Sequence, residues 1–326
     1  MNAIDFGGRL LGTLALLALA AAAHAQGFPN RPVRLVVADA AGGAPDQLAR
    51  LVAQKVSETL GQQVIVDNRP GAGGALGAEL VAKSAPDGHT LLLTTTAIYA
   101  ILPNLRKDLP YDLSRDFAPV ARIATASNVL VINDALPAKN VADLVRYAKE
   151  RPGALNYASA GTGTPAHLAG EMLNLLANIK IVHVPYKGAA PGLLDVIAGN
   201  AQYIITSPIA AGAHMSAGRV RAIATTGTDR NPALPDLPTV ADTLPGYEIT
   251  QSWGIAVPAG TPADVVKRLA DEFGKALTNA DVRERILKTG AVPASNDSPA
   301  AFGDFMIKER TRLGDVIRRS KIELKE

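Results

Sequence analysis

The chain has 326 residues, with 33 Lys and Arg against 30 Asp and Glu, a net charge of +3 and no Cys. The absence of Cys excludes disulfides, thiol catalysis and Cys-ligated metals. The basic residues are scattered, no run of them interleaves with aromatics, and there is one Trp, which leaves nucleic-acid binding and stacking platforms for bases or sugars without support.

The first element is a targeting segment. Arg9 precedes an apolar run from Leu10 to Ala23, and Ala23-His24-Ala25 is a small-x-small cleavage site. This is the pattern of a secretory signal peptide over residues 1–25, cleaved after Ala25 to leave Gln26 as the mature start. No Cys follows the site, so no lipid anchor is expected, and no later stretch approaches transmembrane length. Export to the periplasm without membrane insertion is the expectation. The remaining chain, about three hundred residues, is large for one core and comfortable for two lobes.

The elements then alternate. Val33–Val37 is a short apolar run, as expected of a buried strand. A helix follows from Pro45 to Leu60, with Leu48, Val52, Val56 and Leu60 on one face and Gly61 as its stop. Val64–Asp67 is a strand, and residues 75–82 a helix after the glycine-rich loop 68–74. Pro86-Asp87-Gly88 turns the chain into a strand over 90–94. Further strands are expected at 129–132, up to Ser159, at 181–184, 203–206 and 220–225. Helices are expected at 141–150, from Pro165 to about 176, and up to 197. From Ala263 the chain is mainly helical, with a break at 290–299. Repeated βα units with short loops predict an α/β fold with helices on both sheet faces.

In open α/β sheets ligands bind outside the carboxyl ends of the strands. The loops there are residues 38–46, 94–99, 158–164, 185–190 and 206–208, rich in Gly, Ala, Ser and Thr, with Lys187 their only cation. The most informative reads Tyr157-Ala158-Ser159-Ala160-Gly161-Thr162-Gly163-Thr164-Pro165. A helix opening at Pro165 leaves backbone N–H groups unpaired at its positive end, a setting that suits an anion. Asp39-Ala40-Ala41-Gly42-Gly43-Ala44-Pro45-Asp46 repeats the design. Two such loops suggest two walls of one cleft that grips a small carboxylate by backbone amides and hydroxyls.

Rival chemistries find less in the residues. Gly161 to Ala166 fits a dinucleotide fingerprint formally, but the acid expected about twenty residues on is missing. A serine hydrolase would use Ser159, with His167 or His183 following it. The sequence around Ser159 lacks the first Gly of the nucleophile elbow. His167 and Glu171 could share a metal, but no third ligand has matching spacing, so a hydrogen-bonded helix-start His is the better account. No cofactor is expected. The lone Trp253 is expected to pack rather than to touch ligand.

The chain resembles the periplasmic substrate-binding proteins of the tripartite tricarboxylate transporters, the Bug receptors, from about Arg31 to the C-terminus. The resemblance is carried by Arg31-Pro32-Val33-Arg34-Leu35-Val36-Val37, Asn68-Arg69-Pro70-Gly71-Ala72-Gly73-Gly74, Pro86-Asp87-Gly88-His89-Thr90-Leu91, Tyr157 to Glu171, Val184-Pro185-Tyr186-Lys187-Gly188-Ala189-Ala190-Pro191, Leu234 to Thr239 and Val257 to Pro262. It implies a two-lobed type II periplasmic binding protein fold, the Venus flytrap, with two crossings between lobes. Residues 26–127 and 252–326 would build lobe one and 128–251 lobe two, the C-terminal helices packing back on lobe one. It also implies a monomer that binds a small organic carboxylate and delivers it to membrane permease subunits, with no catalysis. Sensing for a signalling ectodomain is the alternative role. The implied site comprises Ala40, Ala41, Gly42, Gly43 and Asp46 on one jaw, and Ser159, Ala160, Gly161, Thr162, Thr164 and His167 on the other. Thr95, Tyr186, Lys187, Gly188, Thr206 and Ser207 complete it.

Two departures from the family pattern touch ligand choice. The family's first loop usually carries Pro and an aromatic ahead of its two Gly residues, where this chain reads Ala38-Asp39-Ala40-Ala41-Gly42-Gly43, which makes Asp39 an unusual acid near the pocket mouth. It could repel anions, bind an amine or point to solvent, the last being the default for an unpaired charge. Thr206 stands where relatives often have Asp, which argues against amino-acid ligands.

Overall fold

A computed structural model describes residues 27–320, apart from positions 233 and 296. The expected signal peptide and its cleavage site lie outside the described residues. In chain order the elements are β1 (Val33–Val37), α1 (Ala44–Leu60), β2 (Val64–Asn68), α2 (Ala75–Ala82) and β3 (Thr90–Thr95). A π-helical turn over Ala97–Ile101 leads into α3 (Leu102–Leu105), followed by α4 (Leu113–Asp116) and β4 (Phe117–Ser127). The second lobe holds β5 (Val129–Ile132), α5 (Val141–Glu150), β6 (Asn156–Ser159), α6 (Pro165–Ala177), β7 (Val182–Pro185), α7 (Ala189–Ala198), β8 (Tyr203–Thr206), α8 (Pro208–Ser216) and β9 (Arg221–Thr225). The return segment carries β10 (Thr250–Pro258), α9 (Ala263–Thr278), α10 (Ala280–Lys288), β11 (Val292–Pro293) and α11 (Pro299–Ser320).

The strands form two sheets, in the orders β11-β4-β10-β3-β1-β2 and β7-β6-β8-β5-β9. In the first, β2, β1 and β3 are parallel, whereas β10 runs antiparallel to β3 and to β4. In the second, β7, β6 and β8 are parallel and β5 is antiparallel to both β8 and β9. The chain passes between the sheets from β4 into β5 and returns at β10. Asn128 alone separates β4 from β5, and it is fully buried with its N–H donating to Thr226 Oγ1 at 2.8 Å. Thr250, where the chain re-enters the first sheet, pairs with Ser127, where it left. The two crossings therefore lie side by side.

Local sequence explains the elements that position the site. Pro45 sits in the first turn of α1, and Gly61 ends the helix at φ 83°, a conformation that glycine adopts without a Cβ penalty. Leu48, Val52, Val56 and Leu60 are buried against the sheet, each stabilising by about 1.5–3 kcal/mol. An Asp in place of Val52 would put an unpaired charge there and break the packing. In β10, a Cβ on Gly254 would come within 2.2 Å of the Phe302 ring, so the glycine lets α11 press onto the sheet. Trp253, Leu269 and Phe273 belong to the apolar core of the first sheet on the α1 and α9 side. A second core, including Tyr99, Tyr157, Tyr203, Tyr247 and Phe302, runs through both lobes.

The sequence pattern does not mark β4 and β10 as strands. Pro119 and Arg122 interrupt the apolar pattern of β4, and Gly254 and Pro258 punctuate β10 as turn residues would. Ladder pairing on both sides overrides those local signals in β10. In α8, Ser207 Oγ accepts the Ala210 N–H and Pro208 opens the helix, a cap signature that the sequence displays.

Candidate functional site

A cavity of about 330 Å³ lies between the lobes, within the usual size of small-molecule sites. Ten of the expected residues line it: Thr95, Ala160, Gly161, Thr162, Thr164, Tyr186, Lys187, Gly188, Thr206 and Ser207. Ala40, Ala41, Gly42, Gly43, Asp46, Ser159 and His167 do not. The first-lobe wall is built instead from Ala38, Asp39, the start of α1 at Ala44 and Pro45, and the Pro70–Gly74 loop, with Thr96, Ala97, Gln251, Ser252 and Trp253 beside them. By its local sequence the glycine-rich loop before α2 is a structural turn. Its part in the wall follows from β2 standing next to β1, which a linear reading does not reveal.

The second-lobe wall is a loop whose own bonds fix its shape. Gly161 has φ +129°, and a Cβ there would lie 3.1 Å from the Tyr186 carbonyl oxygen. Its N–H donates to Ser159 Oγ at 3.1 Å, while Thr164 Oγ1 donates to its carbonyl at 2.7 Å. The Gly163 N–H donates to His167 Nδ1 at 3.2 Å. Thr164 caps α6 by accepting the His167 N–H. Among the described residues, the N–H groups of Thr162 and Ala166 have no partner, and both residues line the cavity. These are donors at a helix start, free for an anion.

Behind this wall stands a buried polar cluster. Ser159 is fully buried, and its Oγ lies 2.6 Å from His183 Nε2. The His167 and His183 rings stack at 4.2 Å, and His183 stacks on Tyr157 at 4.9 Å. The Tyr157 hydroxyl donates to Glu171 Oε1 at 2.7 Å. Burial, and then the neighbouring His167, push His183 down to about 3, and burial lowers His167 as well. Both imidazoles are therefore neutral near pH 7. The Ser159–His183 pair resembles a hydrolytic dyad, but Ser159 is sealed from the cavity and no acid pairs with His183 among the described residues. Through its bonds to Gly161 the pair braces the loop. His167 plays the helix-start role expected of it, and no group of three His, Asp or Glu able to hold a metal is present among the described residues.

On the first lobe, Asp46 braces its loop in the same way. It is buried, and its Oδ2 accepts the Gly42 N–H at 2.9 Å while Arg50 pairs with its Oδ1 at 2.9 Å. Burial raises its carboxyl, but Arg50 and the Gly42 N–H together hold it below the usual range. Asp39 does not project into solvent, the default for an unpaired charge. It is partly buried and lines the cavity. Trp253 packs in the core and also borders the cavity, so packing and proximity to ligand hold together.

The lobes meet at glycines. A Cβ on Gly73 would lie 2.9 Å from the Thr162 carbonyl oxygen, one on Gly163 2.5 Å from Leu102 Cδ2, and one on Gly188 2.9 Å from Ala40 Cβ. Each pair spans the cleft, so closure depends on bare backbone at three points.

Comparison with known proteins agrees with this architecture. A UPF0065 protein from the tcbD-tcbE intergenic region of Pseudomonas sp. (strain P51) is 40% identical over 314 residues, 95% of this chain and 93% of that protein. The structure of R. palustris Rpa4515 with adipate superposes with a TM-score of 0.89 at 35% identity, covering 91% of this chain and 99% of that one. MatC (Rpa3494) from Rhodopseudomonas palustris with bound malate gives a TM-score of 0.85 at 32% identity, over 89% of this chain and 100% of that one. The fold is the two-lobed type II periplasmic binding protein fold. Residues 48–322 match the tripartite tricarboxylate transporter family receptor, TctC, and the chain belongs to that family.

Proposed function

We propose that this protein is an exported, non-catalytic receptor. It closes its two lobes on a small organic carboxylate and presents the closed form to the permease subunits of a tripartite tricarboxylate-type transporter. The observation that carries the reading is the pair of unspent N–H donors, Thr162 and Ala166, at the start of α6 in an interlobe cavity. Such donors favour an anion without a charged side chain. The adipate and malate held by structural relatives support the same ligand class. Among the described residues no helix is long and apolar enough to cross a membrane, which is compatible with release into the periplasm after signal cleavage. The site proposed is the ten lining residues named above, held in shape by Ser159, His167 and Asp46.

The test is isothermal titration of protein spanning residues 26–326, refolded to remove retained ligand, against mono-, di- and tricarboxylates. One-to-one binding of a carboxylate, lost in Gly161→Val, is the expected result. Absence of heat with every carboxylate, or turnover of p-nitrophenyl esters that disappears in Ser159→Ala, would overturn it.

A further inference from the structure

Among the described residues lining the cavity, Asp39 is the one acid and Lys187 the one base. Asp39 Oδ1 accepts the Ala40 N–H at 2.7 Å. No ion pair involves Asp39 or Lys187 among the described residues, and Arg50, the base near this loop, is committed to Asp46 and Asn68. From the opposite lobe, Gly188 closes on the carboxylate so tightly that a Cβ there would lie 3.0 Å from Asp39 Oδ1. Asp39 thus stands at one of the three points where the jaws meet, partly desolvated, with its charge uncompensated. Burial, opposed by the Ala40 N–H and reinforced by the nearby Asp46, pushes its carboxyl up to about 6.

An uncompensated carboxylate in a closing cleft selects its ligand. A plain dicarboxylate brings like charge towards it, whereas a ligand cation supplies the missing partner. We propose that the ligand is a zwitterion, a small carboxylate that also bears an ammonium or similar N–H cation, with its carboxylate at the start of α6 and its cation on Asp39 opposite Gly188. This rests on the carboxylate-receptor reading above. It reverses the expectation drawn from Thr206, because the acid that receives the cation comes from the first-lobe loop and not from the end of β8. Lys187 lies on the loop facing Asp39, and Asp46 on α1 is the other charged group near it. Lys187 frames the rival arrangement, in which it turns onto Asp39 and the ligand is an ordinary dicarboxylate.

The experiment titrates wild type, Asp39→Asn and Lys187→Met with matched pairs that differ only in the amino group. The pairs are glutarate with glutamate, succinate with aspartate, and butyrate with 4-aminobutyrate. In wild type, the amino member of at least one pair binds more tightly, on the order of tenfold or more, as expected for a desolvated charge pair. Asp39→Asn removes or inverts that preference. If wild type prefers the des-amino members, and Asp39→Asn leaves that ratio unchanged, the inference is wrong while the receptor reading stands. If Asp39→Asn tightens and Lys187→Met weakens des-amino binding, the rival holds and the inference is equally overturned. If folded protein of all three kinds binds no member of any pair, the inference is overturned, while the receptor reading stands or falls on the wider carboxylate titration above.

Discussion

Replacing Asp39 by Asn removes a charge that the ligand-free cleft does not compensate, and the consequence for stability has a definite sign. The carboxyl titrates at 3.8 when unperturbed and at about 6 in the folded protein. Between those values the folded state binds more protons than the unfolded one, so stability falls as pH rises through the window. The difference corresponds to about 3 kcal/mol at most, reached above the folded value and absent below the unfolded one. An Asn side chain has the same shape and can still accept the Ala40 N–H, so the substitution relieves only the ionisation cost. The assay is urea unfolding of ligand-free wild type and Asp39→Asn at pH 4, 5, 6 and 7.5, read as the difference between the two at each pH. That difference matters because His183 titrates oppositely. Its folded value of about 3 lies below the ordinary 6.5, so its contribution to stability changes over that range as well. A neutral buried histidine disfavours the folded state as pH falls, and subtraction cancels this common contribution. The variant should match wild type near pH 4 and exceed it by up to about 3 kcal/mol above pH 6.5. A difference independent of pH, or a more stable wild type at neutral pH, would mean that Asp39 is paired in the free protein, and the reasoning would fail.

Other substitutions separate the brace from the wall. Ser159→Ala strands the Gly161 N–H and His183 Nε2 in the interior and should cost about 1–3 kcal/mol of folding stability by denaturant titration; unchanged stability would place the hydroxyl in a role other than bracing. Gly161→Val forces a branched side chain into a positive-φ position against the Tyr186 carbonyl, and calorimetry should find ligand affinity lowered at least tenfold, on the order of 1.4 kcal/mol. Gly163→Ala puts a methyl against Leu102 across the cleft; small-angle scattering with saturating ligand should show a more open form than wild type, and identical closure would discount the contact. Trp253 is the only tryptophan and borders the cavity, so its emission should change on ligand binding; a silent Trp253 in protein that binds by calorimetry would put the ligand elsewhere.

The fold is legible in the sequence wherever one element carries its own punctuation. The stop of α1 at Gly61, the proline at the start of α6 and the short apolar strands β1, β5 and β8 can be placed to within a residue or two. The crossing strands cannot. β10 contains Gly254, which reads as a turn until the Phe302 ring that occupies the missing Cβ is known. The site divides along the same line. Lining residues on the second lobe are readable because the loop, the helix start and the glycine conformations are contiguous between Ala160 and Thr164. The Pro70–Gly74 loop and residues 251–253 join the wall only through the pairing of β2 with β1 and β10 with β3, which no local pattern encodes.

A binding wall made of backbone has a physical consequence for the residues behind it. Amide donors hold an anion well only if they do not relax toward other partners, because a free donor that turns inward is lost to the ligand. The buried cluster of Ser159, His183, His167 and Thr164 prevents this by taking up the neighbouring groups: the Gly161 N–H, the Gly163 N–H and the Gly161 carbonyl all bond inward. The Thr162 and Ala166 N–H groups, on two residues that line the cavity, stay without a partner among the described residues. The neutral state of both histidines is part of that arrangement. A charged His167 would lose the lone pair at Nδ1 that accepts the Gly163 N–H, and two stacked imidazolium rings at 4.2 Å would repel. Side chains that never touch the ligand can thereby govern affinity through the loop they hold. On this account Ser159 and His167, though absent from the cavity surface, should affect binding about as much as residues that line it.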